Sequence, residues 1–340
     1  MNKRTTALVA LLLTLLMLGG CAAPAETPAT QPAKRSGVGF YFDTVVTATL
    51  YGAPEGTLEE IWAACDRYEK LLSKTIEGSD VWRINHAEGQ AVTVDPETWS
   101  ILRRAKEISG MTGGAFAVTI APLTAMWDFT GGTNRMPTEE ERLAALPLVD
   151  DGAITLGDGC TVSLPKGMEI DLGGIAKGYI ADQVASLVKD KVSGAILSLG
   201  GNVYVLGEKP DGTPYNVGIR DPLGDASSVL AVVTTTDRSV VTSGIYERQF
   251  TLDGVTYHHI LDPVDGLPST SDLASATIVG VSSMDADALA TACIVLGSED
   301  ALRLLQEQEI DGVLVTREGK IIKHQTGNAY QLTLADTPAQ

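Results

Sequence analysis

The sequence predicts an α+β fold, a single two-lobed domain with mixed β-sheets flanked by helices. Three observations carry this expectation. Helical periodicity dominates the first third of the chain, a run of short strand-like segments fills residues 195–261, and one strand-then-helix unit follows at 276–296. Helices early and strands grouped in the middle argue against repeated βαβ units, which would alternate.

Each element has a local reason. Val45–Tyr51 alternates like a strand, and Leu58–Leu72 places Ile61, Cys65, Tyr68 and Leu72 on one helical stripe. Asp95-Pro96 reads as an N-cap followed by proline at the first helical position, opening a helix to about Ser109. Thr138 with Glu141 reads as a capping box for a short helix toward Leu146. A helix is expected over Ala176–Asp190. Strands are then expected at Ala195–Leu199, Val203–Leu206, Asn216–Ile219, Val229–Thr235, Ser239–Thr242 and Tyr257–Leu261, separated by Gly, Pro and Asp turns. A last strand, Ala276–Val281, leads into an Ala- and Leu-rich helix.

The N-terminus reads as a bacterial lipoprotein signal. Lys3 and Arg4 precede an apolar run, Ala7–Leu18, too short for an ordinary membrane span, and Gly19-Gly20-Cys21 fits cleavage with lipid attached to Cys21. Residues 22–36, rich in Ala, Pro and Thr without hydrophobic period, read as a flexible tether. The expected plan is therefore a signal peptide at 1–20, lipidated cysteine and tether at 21–36, and one folded domain at 37–335. It implies a protein lipid-anchored to the membrane on the extracytoplasmic face.

Charge narrows the function. The 340-residue chain carries −18, and losing Lys3 and Arg4 takes it to −20, which excludes a general nucleic-acid surface. Any anionic ligand must be held where a cation and oriented N–H groups reverse the local sign. Cys65, Cys160 and Cys293 have no C-x-x-C spacing, so neither a disulfide framework nor a zinc site is expected, and Cys65 and Cys293 read as buried thiols.

Two distant runs ask for one partner. In Asp285-Ala286-Asp287-Ala288-Leu289-Ala290-Thr291-Ala292, helical spacing puts Asp287 and Thr291 on one face, a carboxylate and a hydroxyl suited to a hard cation. In Asp171-Leu172-Gly173-Gly174-Ile175-Ala176-Lys177-Gly178, two glycines permit close backbone approach before a helix start that carries Lys177, as a phosphate site requires. Each pattern alone is equally a solvated stripe or a plain tight turn.

A third segment changes this: Thr242-Ser243-Gly244-Ile245-Tyr246-Glu247-Arg248, then His258-His259-Ile260-Leu261-Asp262-Pro263-Val264-Asp265-Gly266-Leu267-Pro268. Together with the two runs, and in this order, these motifs resemble the ApbE family, the FAD:protein FMN transferases, over about Phe42–Leu296. The resemblance implies metal-dependent transfer of FMN from FAD to a Thr or Ser hydroxyl of an acceptor flavoprotein, releasing AMP. It implies magnesium, or manganese or calcium, held by Asp287, Thr291 and the Gly174 carbonyl. FAD contacts carry over to Phe42, Ala115, Phe116, Ala117, Asp171, Lys177, His259 and Leu261, with His259 and Asp287 in catalytic roles. Acceptors of the family resemble subunits of membrane electron-transfer or sodium-pumping complexes.

Departures and alternatives accompany it. Ala117 stands where the family loop has aspartate, Ile245 replaces another, and Asp265 replaces a threonine. Phe42 stands where methionine is common, and ordinary core packing is its other reading. His258 and His259 cannot share a face on a strand, and the motif selects His259 for hydrogen bonding or proton transfer, with a purely structural bond as the alternative. Asp262 is the next candidate base. Water in place of the acceptor hydroxyl would make the site an FAD hydrolase, and a flavin-binding lipoprotein without chemistry is the rival of another class.

Overall fold

The computed structural model describes residues 32–129, 134–328 and 330–335. The expected signal peptide, Cys21 and the tether up to residue 31 lie outside the described residues. In chain order the elements are β1 (Lys34–Tyr41), β2 (Thr44–Tyr51), α1 (Thr57–Leu72), α2 (Asp80–Asn85), β3 (Val92–Thr93), α3 (Pro96–Met111), α4 (Ala121–Trp127) and α5 (Glu139–Ala145). There follow β4 (Thr155–Gly157), β5 (Thr161–Ser163), α6 (Ala176–Val188), β6 (Gly194–Leu199), β7 (Asn202–Gly207), β8 (Tyr215–Arg220), β9 (Val229–Thr235) and β10 (Arg238–Gly244). The chain continues with β11 (Gln249–Leu252), β12 (Val255–His258), β13 (Leu273–Gly280), α7 (Ser283–Leu296), α8 (Ser298–Glu307), β14 (Asp311–Thr316), β15 (Ile321–His324) and β16 (Tyr330–Leu334).

An eight-stranded sheet in the order β1-β2-β6-β7-β10-β13-β14-β15 is the spine, and every pairing in it is antiparallel. Strand alternation splits its side chains between two cores. Val46, Leu50, Leu197, Val241 and Ile278 face helices α1, α6 and α7, while Val205, Val240, Val279 and Val313 face the sheet β16-β9-β8. Helix α7 is buried on nearly all sides, through Ala286, Ala288, Leu289, Ala290, Ala292, Cys293 and Ile294. The α+β expectation holds, as one unit from Ala33 onward.

Local chemistry agrees with most expected boundaries. The α1 stripe of Ile61, Cys65, Tyr68 and Leu72 is buried, Asp95 caps Glu97 with Pro96 behind it, and the Thr138–Glu141 capping box is complete. Three boundaries differ, one of them that of the strand expected at Ala276–Val281, which runs Leu273–Gly280 because its pairing with β10 and β14 begins earlier. β1 starts at Lys34, so the last residues assigned to the tether pair with β2, Ser36 opposite Thr49. The strand expected at Tyr257–Leu261 is instead Val255–His258, because a turn at Asp253-Gly254 folds it back onto β11, and Leu261 makes only an isolated bridge to Pro268.

Two hairpin tips meet at one end of the sheet. Phe42 and Asp43 (φ 56° and 55°) form the β1–β2 turn, and Gly200 and Gly201 (φ 55° and 97°) form the β6–β7 turn. A Cβ on Gly200 would lie 2.5 Å from Thr44 Oγ1, so the tips abut.

The tightest helix contact is between α6 and α7. A Cβ on Gly178 would lie 2.1 Å from the Ser283 carbonyl oxygen and 2.7 Å from Met284 Cα, which are backbone atoms that cannot rotate aside. Gly178→Ala is therefore expected to destabilise the protein by about 1–3 kcal/mol or more. Chemical denaturation checks this; an unchanged midpoint would contradict the contact.

Candidate functional site

The glycine loop before α6 is held from both ends. Asp171 N–H donates to the Val118 carbonyl (2.7 Å), and its carboxylate accepts from Gly173 N–H (2.8 Å) and Lys74 Nζ (2.7 Å). Burial opposes ionisation of Asp171, but Lys74, the Gly173 N–H and Lys177 outweigh it and hold the carboxyl below its ordinary range. Lys177 Nζ donates to the Gly173 carbonyl (2.7 Å) and lies 3.6 Å from Asp287 Oδ1. Gly178 N–H donates to the other oxygen of Asp287 at 3.0 Å.

Helix α7 presents Asp287 and Thr291 to this loop. Asp182 of α6 fixes its start, accepting from the N–H groups of Ser283 (2.7 Å) and Met284 (3.0 Å), and Arg104 of α3 grips Asp285 with two nitrogens. Thr291 Oγ1 donates to the Asp287 carbonyl (3.2 Å) and is 3.3 Å from Ser243 Oγ. A Cβ on Gly174 would lie 3.8 Å from Thr291 Oγ1 and 3.2 Å from Phe116 Cε2, so glycine lets the loop lie against both.

These residues fit a hard cation. Asp287 is 3% exposed, yet among the described residues its Oδ1 has only the Lys177 ammonium 3.6 Å away, a distance too long for a hydrogen bond. A buried carboxylate so thinly partnered has capacity for a cation. With the Thr291 hydroxyl and a loop carbonyl it makes an all-oxygen set with few protein donors, the kind magnesium uses when phosphate oxygens and water complete its shell. Among the described residues no group of three or more His, Cys, Asp or Glu offers an alternative metal cluster.

The two histidines have different surroundings, and β12 ends between them, so strand alternation is not what separates them. His258 is 5% exposed with Nε2 3.0 Å from the Ser269 carbonyl, and burial pushes its pKa down to about 4. His259 lies just past the strand, its N–H donating to the Arg248 carbonyl (3.0 Å) and its ring Nδ1 buried without a partner. Desolvation, then the charges of Arg248 and Lys177, push its pKa down to about 3, which keeps the ring neutral and places it in the field of Lys177.

The other candidates spread around this centre. Phe116 is buried under the glycine loop, and Ala115 and Ala117 are half-buried beside it. Phe42 sits at the β1–β2 tip, its N–H donating to Glu69 Oε1 (2.7 Å) and its ring against Tyr41. Leu261 is buried in a separate cluster with Leu123, Trp127 and Phe250. Cys21 lies outside the described residues. Sequence reasoning passed over Lys74, Ser243, Asp182 and Glu247. Only Ser243 and Glu247 had a signal, since both stand in the third motif; Glu247 lies in the field of Lys177 and Asp287, and its pKa is raised, chiefly by burial.

Scaffold and site together define an α+β protein in which the oxygen donors Asp287 and Thr291 of one helix face a glycine loop that carries Lys177. The chain belongs to the ApbE family, whose model matches residues 42–314. It is 37% identical over 278 residues to the FAD:protein FMN transferase of Klebsiella pneumoniae, spanning 80% of this chain and 86% of that one. It is 38% identical over 267 residues to the enzyme of the same name from Treponema pallidum, spanning 74% of each. Among solved structures, it resembles the ApbE protein of Thermotoga maritima (TM-score 0.80, 32% identity, 86% of this chain and 97% of that one). It also resembles the apo flavinyl transferase ApbE of Pseudomonas stutzeri (TM-score 0.76, 27% identity, 91% and 96%).

The depressed pKa of His258 has a stability consequence with a definite sign. The unfolded state binds this proton below pH 6.5 and the folded state only below about 4, so the contribution is complete above 6.5 and is lost as pH falls toward 4. The loss is expected to reach about 3 kcal/mol. Denaturation midpoints from pH 7.5 to 4.5 should fall less steeply in His258→Gln than in the parent protein.

Proposed function

We propose that this protein transfers FMN from FAD to a Ser or Thr hydroxyl of an acceptor flavoprotein, releasing AMP, with a divalent cation held by Asp287, Thr291 and the Gly174 carbonyl. The single observation that carries the reading is the buried, thinly partnered Asp287 carboxylate beside a glycine loop and Lys177, in a chain whose relatives are FAD:protein FMN transferases. Magnesium is the preferred ion, because an all-oxygen set with so few protein donors leaves room for phosphate oxygens. When bound it neutralises charge on the diphosphate.

The chain's own residues do the rest. Lys177 draws the diphosphate to the start of α6, where its ammonium and the helix dipole favour negative charge. Asp171, held by Lys74, fixes the loop that shapes this cradle. The acceptor oxygen attacks the FMN-side phosphorus, the bond to the bridging oxygen breaks with its electron pair going to AMP, and the hydroxyl proton passes to the neutral His259 ring. Arriving phosphate charge offsets Lys177 and Arg248 and raises the basicity of that ring, so binding of FAD itself readies the base.

The lipoprotein reading of residues 1–21 places the enzyme at the extracytoplasmic membrane face. Flavoprotein subunits of membrane electron-transfer or sodium-pumping complexes are then the acceptors within reach.

Mass spectrometry of an acceptor-domain protein incubated with purified enzyme, FAD and magnesium tests the reading. The expected result is a gain of FMN minus water on one Ser or Thr, absent with Asp287→Ala. FAD cleaved to FMN and AMP with the acceptor unmodified would mean a hydrolase, and intact FAD with a proven acceptor would overturn the chemistry.

Two kinetic expectations accompany this. Lys177→Ala should weaken FAD binding about 10- to 100-fold by calorimetry, through loss of a charge-assisted contact. With its folded pKa at about 3, His259 stays neutral in the free enzyme. kcat/KM should therefore hold its plateau to pH 5.5, where an unshifted histidine would already have lowered it about tenfold.

A further inference from the structure

We propose that Ser243 is a positioning residue for the cation site, acting through Thr291; the inference rests on the metal-dependent reading above. Strand alternation puts Ser243 on the helix-covered face of β10 with Val241, opposite the Ala276 of β13. Its neighbours in that layer are apolar, Val241, Ala276 and Ile278, and the half-buried Ser243 hydroxyl finds its partner on the helix instead. The partner is Thr291 Oγ1, at 3.3 Å.

The proton count gives this contact a direction. Thr291 has one hydroxyl proton, and the Asp287 carbonyl one turn back takes it at 3.2 Å. The bond to Ser243 then uses the Ser243 proton, which leaves Thr291 Oγ1 one lone pair for a cation and stops the hydroxyl from rotating. β10 is paired with β7 as far as Val241 and with β13 through Ser243 and Gly244, so the donor stands on a strand that the β13 ladder holds in place. Outer partners of this kind typically govern ligand affinity by about 10- to 100-fold.

The test uses Mn²⁺ as the probe, with the free-ion electron paramagnetic resonance signal titrated in purified full-length protein without FAD. Ser243→Ala should weaken Mn²⁺ binding about tenfold or more while the metal-free melting temperature stays within about 2 °C of the parent, since a partly exposed hydroxyl contributes little to the core. Ser243→Thr, which keeps the hydroxyl, should recover most of the affinity. Equal binding by parent and Ser243→Ala, with Asp287→Ala unable to bind, overturns the role of Ser243 alone. Failure of the parent itself to bind Mn²⁺ overturns the cation site and this inference with it.

Discussion

The close approach of α6 to α7 at Gly178 is the constraint on which the site depends. Only a residue without a side chain lets the Ser283 and Met284 backbone come so near, and that approach is what brings the Gly178 N–H to Asp287 and Lys177 to its other oxygen. Asp182 and Arg104 then fix where α7 starts, so the carboxylate and hydroxyl, one turn apart on one helix face, are both presented to the glycine loop. The end of β10 in the main sheet brings Ser243 to Thr291, and His259 follows the end of β12 in the separate β11-β12 pair.

Electrostatics explains how so acidic a chain can receive an anion. The chain carries −18 overall, but around the glycine loop Lys74, Lys177 and Arg248 gather with the N-terminus of α6, while Asp171 and Asp287 are each engaged by a lysine. Bulk charge therefore repels most polyanions, and the local field selects for a small, compact one. A neutral His259 in the same field follows first from its burial, with the cations beside it acting in the same direction.

Much of this was legible in the sequence because local rules carried it. The α1 stripe, the Asp95-Pro96 start and the Thr138–Glu141 box depend on neighbours in the chain, and the Asp287/Thr291 spacing depends only on helical period. What stayed hidden depends on tertiary contact. Nothing near Lys74 in the sequence announces Asp171, 97 residues away, and nothing near Asp182 announces the α7 N-terminus. The start of β1 was hidden because its pairing is decided by β2, and the end of β12 because the turn that pairs it with β11 outweighs the propensity of Ile260 and Leu261. Ser243 stands in a motif, but its role depends on Thr291, 48 residues away in the chain.

The two halves of the pocket, joined by the Gly178–Asp287 bond, are 109 residues apart in the chain, and β6 to β13 must be laid down between them. Helical segments such as α1 and α6 can form early from local contacts, but the pocket cannot exist until the last long-range pairing is made. A ligand therefore meets only the finished protein and stabilises that state alone, by about 2.7 kcal/mol at a hundred times its dissociation constant. Occupancy of the pocket thus serves as a signature of completed folding, since a nascent or partly unfolded chain has no site to fill.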